Sequence, residues 1–384
     1  MGVTKQTMKD FTKRATFFVL LLLIVWRPLM IIYSQRDLFF SKGYAKQYSQ
    51  LKNAYYSSQY VKKDKPGIMP DESFESFVGG AFLKGLNPIL IVHEHPPMGR
   101  YIIALSIYLF DNAKTVTLFC MAISTVGLFL ISKQILKKTL YAFFPLAIFV
   151  NEPLFINKFF YAPLLEPIQQ PFIVFALYFF IRGILSKNCF KWFVAASLML
   201  GFVISIRFFI LGTVMLAGMI TILLIEKKSK KLLLFIASLP LALGVLFASY
   251  TKTIQDGYSL LDILKVQKYI FFYHKSQLVS PISFWDLLLF NRWHTWWADK
   301  IITSDIHWII FWPISTIGVF TYLFLVLTRK MKLSKEEKVI MLWIIVYIVL
   351  LSVGNTTTRY FFPLLPFLYI LVISFIKKII FKKR

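Results

Sequence analysis

Acid is scarce in this chain. Its 384 residues include 18 Asp and Glu against 44 Lys and Arg, for a net charge of +26. The surplus invites a nucleic-acid reading, but the basic residues sit largely in short runs between apolar segments, as loops beside a membrane do. Lipid headgroups and lipid phosphates are therefore the expected anionic partners, and no nucleic acid is expected. Cysteine is scarce too. Cys120 and Cys189 lie in or near apolar segments, far from any C-x-x-C spacing, so neither a disulfide framework nor a thiolate metal site is suggested. The chain has no Gly-x-x-x-x-Gly-Lys-Ser/Thr loop and no Gly-x-Gly-x-x-Gly after a strand, which removes sequence support for ATP-driven transport and nicotinamide chemistry. What it has is hydrophobic residues at 58% and aromatics at 18%, with a mean hydropathy of +0.66. That is more apolar surface than a soluble domain exposes or buries, so the composition reads as an integral membrane protein.

Basic clusters set the expected topology, because short cytoplasmic loops collect Lys and Arg. Lys137 with Lys138, Lys187 with Lys191, Lys227 to Lys231, Arg329 to Lys338 and the tail from Lys377 to Arg384 are placed inside. Between them, hydrophobic stretches fit an alternation of about ten crossings, each needing roughly 17 to 25 residues of apolar helix. The expected spans are 15–33, 115–135, 139–158, 170–185, 192–206, 208–226, 232–250, 307–327, 338–354 and 360–377, forming one polytopic domain over 1–384. The first is expected to be retained, since Arg27 and the aromatics after it leave no good cleavage site. No soluble domain is expected after the last. Splitting 192–226 into two spans keeps Lys227, Lys228 and the basic tail inside. The loop 34–114 then falls outside despite its lysines, as long loops obey the charge rule poorly. Its apolar second half, broken by Gly79-Gly80, Asn87-Pro88 and His93 to Pro97, suits short interfacial helices. A second long outer loop covers 251–306.

Charged groups beside a bilayer are costly and mark sites. Asp71, Glu72, His93, His95, Arg100, Glu166, Arg207, the Trp293-His294-Thr295-Trp296-Trp297 segment and Arg359 all fall at or near the expected outer face. Each has a bland alternative. Asp71-Glu72 suits a helix start after Pro70, and His93-Glu94-His95 a divalent metal, although no further ligands are evident. Glu166 also reads as an exposed loop acid, Arg207 as a snorkelling residue at a turn, and Arg359 and the tryptophans as interfacial anchors.

The acidic first-loop motif is followed by His95-Pro96-Pro97-Met98-Gly99-Arg100-Tyr101, Leu164-Leu165-Glu166 stands before an aromatic-rich span, Gly201 to Arg207 forms a glycine-containing helix that ends in arginine, and Arg359-Tyr360-Phe361-Phe362-Pro363-Leu364-Leu365-Pro366 opens the last span. In these motifs the sequence resembles the GT-C membrane glycosyltransferases of the protein O-mannosyltransferase and aminoarabinose transferase superfamily. The resemblance implies a GT-C-like bundle and an inverting transfer of sugar from a polyprenyl phosphate to a protein, lipid or glycan acceptor on the outer side. Asp71 would be the base that takes the acceptor proton, with Glu72 orienting it. Arg100, Arg207 and Arg359, with His93 or His95, would meet the charge developing on the leaving phosphate. Glu166 stands where the family usually has Asp, so a carboxylate survives there. His294 and Trp297 match the family's aromatic outer loop only loosely. Some relatives use a divalent ion and others none; no metal or other cofactor is assigned. A prokaryotic plasma membrane is the expected location. The rival readings are a lipid-linked glycan flippase, which should show internal repeats and charges along a path through the membrane, and a polymerase or ligase of different fold.

Overall fold

The computed structural model describes residues 2–64, 67–92, 94–207, 209–276, 282–295, 301–354 and 356–382. The chain opens with α1 (Gly2–Ser34), then α2 (Arg36–Phe40), α3 (Tyr44–Tyr56), α4 (Asp71–Leu83), α5 (Pro88–Ile91) and α6 (Met98–Phe110). The central helices are α7 (Thr115–Leu136), α8 (Thr139–Val150), α9 (Pro153–Phe160), α10 (Leu165–Leu185), α11 (Phe190–Ile206), α12 (Phe209–Ile225), α13 (Ser229–Ser238) and α14 (Pro240–Ala248). After α15 (Thr251–Gln255), α16 (Leu260–Ser276) and α17 (Ser283–Phe290) come β1 (Trp293–His294) and β2 (Ile302–Thr303), an antiparallel pair and the only strands among the described residues. The chain closes with α18 (Phe311–Leu327), α19 (Lys335–Val353), a 3₁₀ turn (Thr358–Phe361) and α20 (Leu365–Lys382).

Each of the ten predicted spans coincides with a helix or a broken pair of helices. Among the described residues, Arg14–Ser34, Thr115–Leu136, Leu165–Leu185 and Ser229–Ala248 are long and apolar enough to cross a membrane unaided. The pair α8 and α9, bent by 59°, is long and apolar enough only when the two are taken together. The break falls at Asn151-Glu152, and Pro153 opens α9 where its missing N–H costs nothing. The helices α11, α12 and α18 are shorter and apolar, and α19 and α20 carry charged residues at one end. Within 192–226 the helix breaks at Arg207 and the chain folds back, since Gly212 packs against Ile204. Phe18, Leu22 and Trp26 on α1 stand exposed, which fits a hydrocarbon rather than an aqueous surround. The protein is an all-α, multi-pass integral membrane protein.

The main core lies where α10 packs between α7 and α11, with Phe180, Phe193 and Phe235 buried in it. Close approach there depends on Gly127, where a Cβ would lie 2.6 Å from Val174 Cγ1. The segment 34–114 has a smaller core of its own: Tyr55, Tyr60, Phe74 and Phe77 stack on one another, and the cluster reaches Leu165, Ile168 and Ile206. Those contacts fix α4 and α6 against the ends of α10 and α11.

Candidate active site

Helix α4 begins at Asp71 because Pro70 is extended, with φ −62° and ψ 151°, and a carboxylate suits the positive end of the helix dipole. Asp71 Oδ2 accepts a hydrogen bond from Arg359 Nη1 at 2.5 Å, and the Asp71 side chain remains 48% exposed. Arg359 sits on the 3₁₀ turn between α19 and α20. Its Nε is 3.4 Å from Glu166 Oε1, and Arg207 Nη2 approaches the same oxygen at 3.2 Å. The ring of Tyr360 lies 4.7 Å from the Arg207 guanidinium and 5.5 Å from that of Arg359, so one aromatic ring serves both cations.

Lys158, fully buried on α9, interacts electrostatically with Glu166, Arg359 and Arg207. Arg207, Arg359 and Lys158 thus gather around Glu166 and Asp71 at one end of the bundle, with Asp305 also acting on Lys158. Buried cations are retained only when paired or given a ligand. The breaks after α9 and α11 and before α10 and α20 are what bring these groups together, since each residue sits at a helix end rather than mid-span.

The turn that presents Arg359 is held from behind. Asp305 Oδ2 accepts from Thr358 Oγ1 at 2.7 Å, and its Oδ1 accepts from the His307 backbone N–H at 2.8 Å. Burial pushes the Asp305 carboxyl up, but these bonds and the His307 ring hold it below the usual range. Tyr347 donates to the Tyr360 carbonyl at 2.8 Å.

The His-Pro-Pro element contributes by position. Arg100 is fully buried and makes a bidentate pair with Glu75 at 2.8 and 2.9 Å. Glu75 lies one helical turn after Asp71, so the pair ties α6 to the base of α4. Burial raises the Glu75 carboxyl to about 7 despite Arg100. At Gly99 a Cβ would lie 2.7 Å from Leu165 Cδ2 and 2.9 Å from Ile206 Cγ2, so only glycine lets α6 press against the residues just before Glu166 and Arg207. Glu94 accepts from Tyr273 at 3.0 Å, docking α16 onto the same element.

The structure therefore brings together Asp71, Glu166, Arg207 and Arg359 out of the sequence candidates. Glu166 is buried in the first turn of α10 rather than exposed in a loop. Arg100, expected among the phosphate-binding cations, is instead engaged with Glu75. Glu72 acts on Lys114, on another side of α4. The carbonyl of His95 accepts from Arg100 at 3.5 Å, and His294 Nε2 lies 2.8 Å from Asp286 Oδ2 on α17. His93 and Trp297 lie outside the described residues. Lys158, Glu75 and Asp305 were missed. A lysine inside the predicted span 139–158 was the available signal for the first, and the Asp71, Glu75 spacing of one turn for the second. No group of three His, Cys, Asp or Glu that would hold a metal occurs among the described residues.

Residues 94–252 match the family described as dolichyl-phosphate-mannose-protein mannosyltransferase. The fold is similar to that of ArnT from Cupriavidus metallidurans bound to undecaprenyl phosphate, with a TM-score of 0.58 and 15% identity over 88% of this chain and 61% of that one. It is also similar to the archaeal oligosaccharyltransferase AglB from Archaeoglobus fulgidus, in complex with an inhibitory peptide and a dolichol-phosphate, with a TM-score of 0.50 and 11% identity over 88% of this chain and 50% of that one. The chain thus spans about three fifths of the length of ArnT. No curated protein matches it. The fold is GT-C-like, and the resemblance read from the sequence to this superfamily of membrane glycosyltransferases stands.

Proposed function

We propose that this protein is an inverting glycosyltransferase that moves a sugar from a polyprenyl-phosphate donor to an acceptor on the outer face of a membrane. The observation that carries the reading is the cluster itself: a half-exposed carboxylate, Asp71, bonded to one of three cations gathered at helix breaks. A phosphate leaving group gains negative charge in the transition state, and Arg207, Arg359 and Lys158 supply fixed positive charge that needs no solvent reorganisation.

Asp71 Oδ2 is held by Arg359, and Oδ1 has no protein hydrogen bond among the described residues. That oxygen takes the acceptor proton as the acceptor oxygen attacks the anomeric carbon from the face opposite the phosphate. The new C–O bond forms, the sugar–phosphate bond breaks, and its electron pair leaves on the phosphate oxygen between the cations. Glu166 keeps the two arginines in place and prevents the cluster from repelling itself. The match of 94–252 to the mannosyltransferase family includes Glu166, Arg207 and Lys158, and the ArnT relative holds undecaprenyl phosphate, which supports a phosphate lipid at this position.

The test is transfer by purified protein in lipid, using a panel of radiolabelled polyprenyl-phosphate sugars with a membrane extract as acceptor. Consumption of one donor by wild type, with loss of turnover but not donor binding in Asp71→Asn, supports the reading. Movement of an intact donor across vesicles would replace it with a flippase.

A further inference from the structure

Two of the cations proposed to meet the phosphate reach the site on separate elements, Lys158 on α9 and Arg359 on the 3₁₀ turn. A set of charges acts together only if its members are held within roughly 0.5 Å of the productive geometry. A histidine outside the charge cluster links the two elements.

His307 lies in the segment that leads into α18. Its Nδ1 is 2.8 Å from Asp305 Oδ1, and its Nε2 is 2.8 Å from Asn157 Nδ2. Asp305 in turn accepts from Thr358 Oγ1 at 2.7 Å. Asn157 immediately precedes Lys158, and Thr358 immediately precedes Arg359. A carboxylate only accepts, so Nδ1 carries the ring proton and Nε2 keeps the lone pair that the Asn157 amide N–H needs. The bonds from Asn157 to His307, from His307 to Asp305 and from Thr358 to Asp305 thus form one chain between the two cation-bearing elements.

This chain has a fixed base. Asn291 Oδ1 accepts from the Asp305 backbone N–H at 2.8 Å, and the Leu288 carbonyl accepts from Trp308 Nε1 at 3.0 Å, so both flanks of His307 are tied to the end of α17. With the His307 side chain 23% exposed and that of Asp305 12%, water competes little for the bonds between them. On the other side, Lys158 Nζ lies 6.0 Å from the ring of Phe362, the residue after the turn, and that ring packs on Phe149 and Phe155. Ring contacts hold the two elements together, and the directional bonds of His307 set their register.

We propose that His307 is a positioning residue, which sets the distance between Lys158 and Arg359, and with it the affinity for the lipid phosphate, without touching the lipid. The inference rests on the reading of the cluster as a phosphate site. Histidine suits the task because the two nitrogens of one rigid ring engage a donor and an acceptor at once. Asparagine or glutamine in its place reaches only one of the two partners.

The experiment is equilibrium binding of undecaprenyl phosphate, with undecaprenol as the uncharged control, to the full chain in phosphatidylcholine nanodiscs, with Tm recorded for every variant. Wild type should prefer the phosphate. His307→Asn and His307→Gln should each weaken undecaprenyl phosphate by about three- to tenfold, the effect of one lost hydrogen bond, and bind undecaprenol as wild type does. Lys158→Met should also weaken the phosphate, and adding His307→Gln to it should cost less than about twofold more, because the spacing no longer matters once one cation is gone. Asn157→Leu cuts the same chain at its other end, so it should match the His307 variants and add no further loss to theirs; it keeps the test decisive if Lys158→Met does not fold. Unchanged phosphate binding in the His307 variants, an equal loss of undecaprenol, or losses that add in the double variants would each overturn the positioning role. If wild type binds the phosphate no better than the alcohol, the phosphate site itself fails, and the role of His307 with it.

Discussion

Arg359 Nη1 lies 2.5 Å from Asp71 Oδ2, although 288 positions separate the two residues in sequence. The contact closes the first loop onto the turn before the last helix, and it puts the proposed base against the charges proposed for the leaving phosphate.

Asp71→Asn should lower turnover by roughly 100- to 10,000-fold, the range for losing a positioned base, with donor binding nearly unchanged. Glu72→Gln, on the Lys114 side of α4, should cost less than about tenfold, well below that range. Single-turnover transfer and equilibrium binding of labelled donor distinguish the two.

Arg207→Ala should weaken donor binding by about 10- to 100-fold, as expected for a charge-assisted bond worth roughly 1.5 to 3 kcal/mol. Donor titrations at fixed acceptor, read by label retained on the protein, check it. An unchanged donor Kd would remove Arg207 from the phosphate site.

Glu166→Gln leaves Arg207, Arg359 and Lys158 facing one another without their shared counter-charge. Breaking a buried ionic set by removing one partner costs about 3 to 5 kcal/mol. The Tm in detergent should fall accordingly, and Glu166→Asp should recover part of the loss.

Glu75 gives a pH signature. Burial raises its carboxyl from 4.5 to about 7, so the folded protein holds that proton more tightly than the unfolded chain. Its contribution to stability is full below about pH 4.5 and is lost as pH rises through about 7. Melting temperatures across that window should decline in wild type, and Glu75→Gln should flatten this part of the slope.

Gly99→Ala would place a methyl 2.7 Å from Leu165 Cδ2 and 2.9 Å from Ile206 Cγ2. Overpacking of this kind costs about 1 to 3 kcal/mol. Because the strained contacts adjoin Glu166 and Arg207, activity should fall further than the shift in Tm accounts for, which parallel measurements of both would show.

Apolar length and lysine-rich breaks are local properties, and a lipid surround makes helix the only spanning form open to such segments. The sequence by itself therefore determined the helices: every predicted span coincides with a helix or a broken pair, including the two within 192–226. It also determined that Asp71, Glu166, Arg207 and Arg359 needed explaining, since charge next to hydrocarbon is costly wherever the chain goes. Which charges meet was decided only by tertiary structure. Arg100 and Arg207 look alike in sequence, each an arginine near the end of an apolar segment, yet one is sealed against Glu75 and the other opens toward Glu166 and Tyr360. Lys158 joined the site only because the chain bends by 59° between α8 and α9. Pairing of this kind depends on the packing of helix ends distant in sequence, through contacts such as Gly99 on Ile206, and no local pattern encodes it.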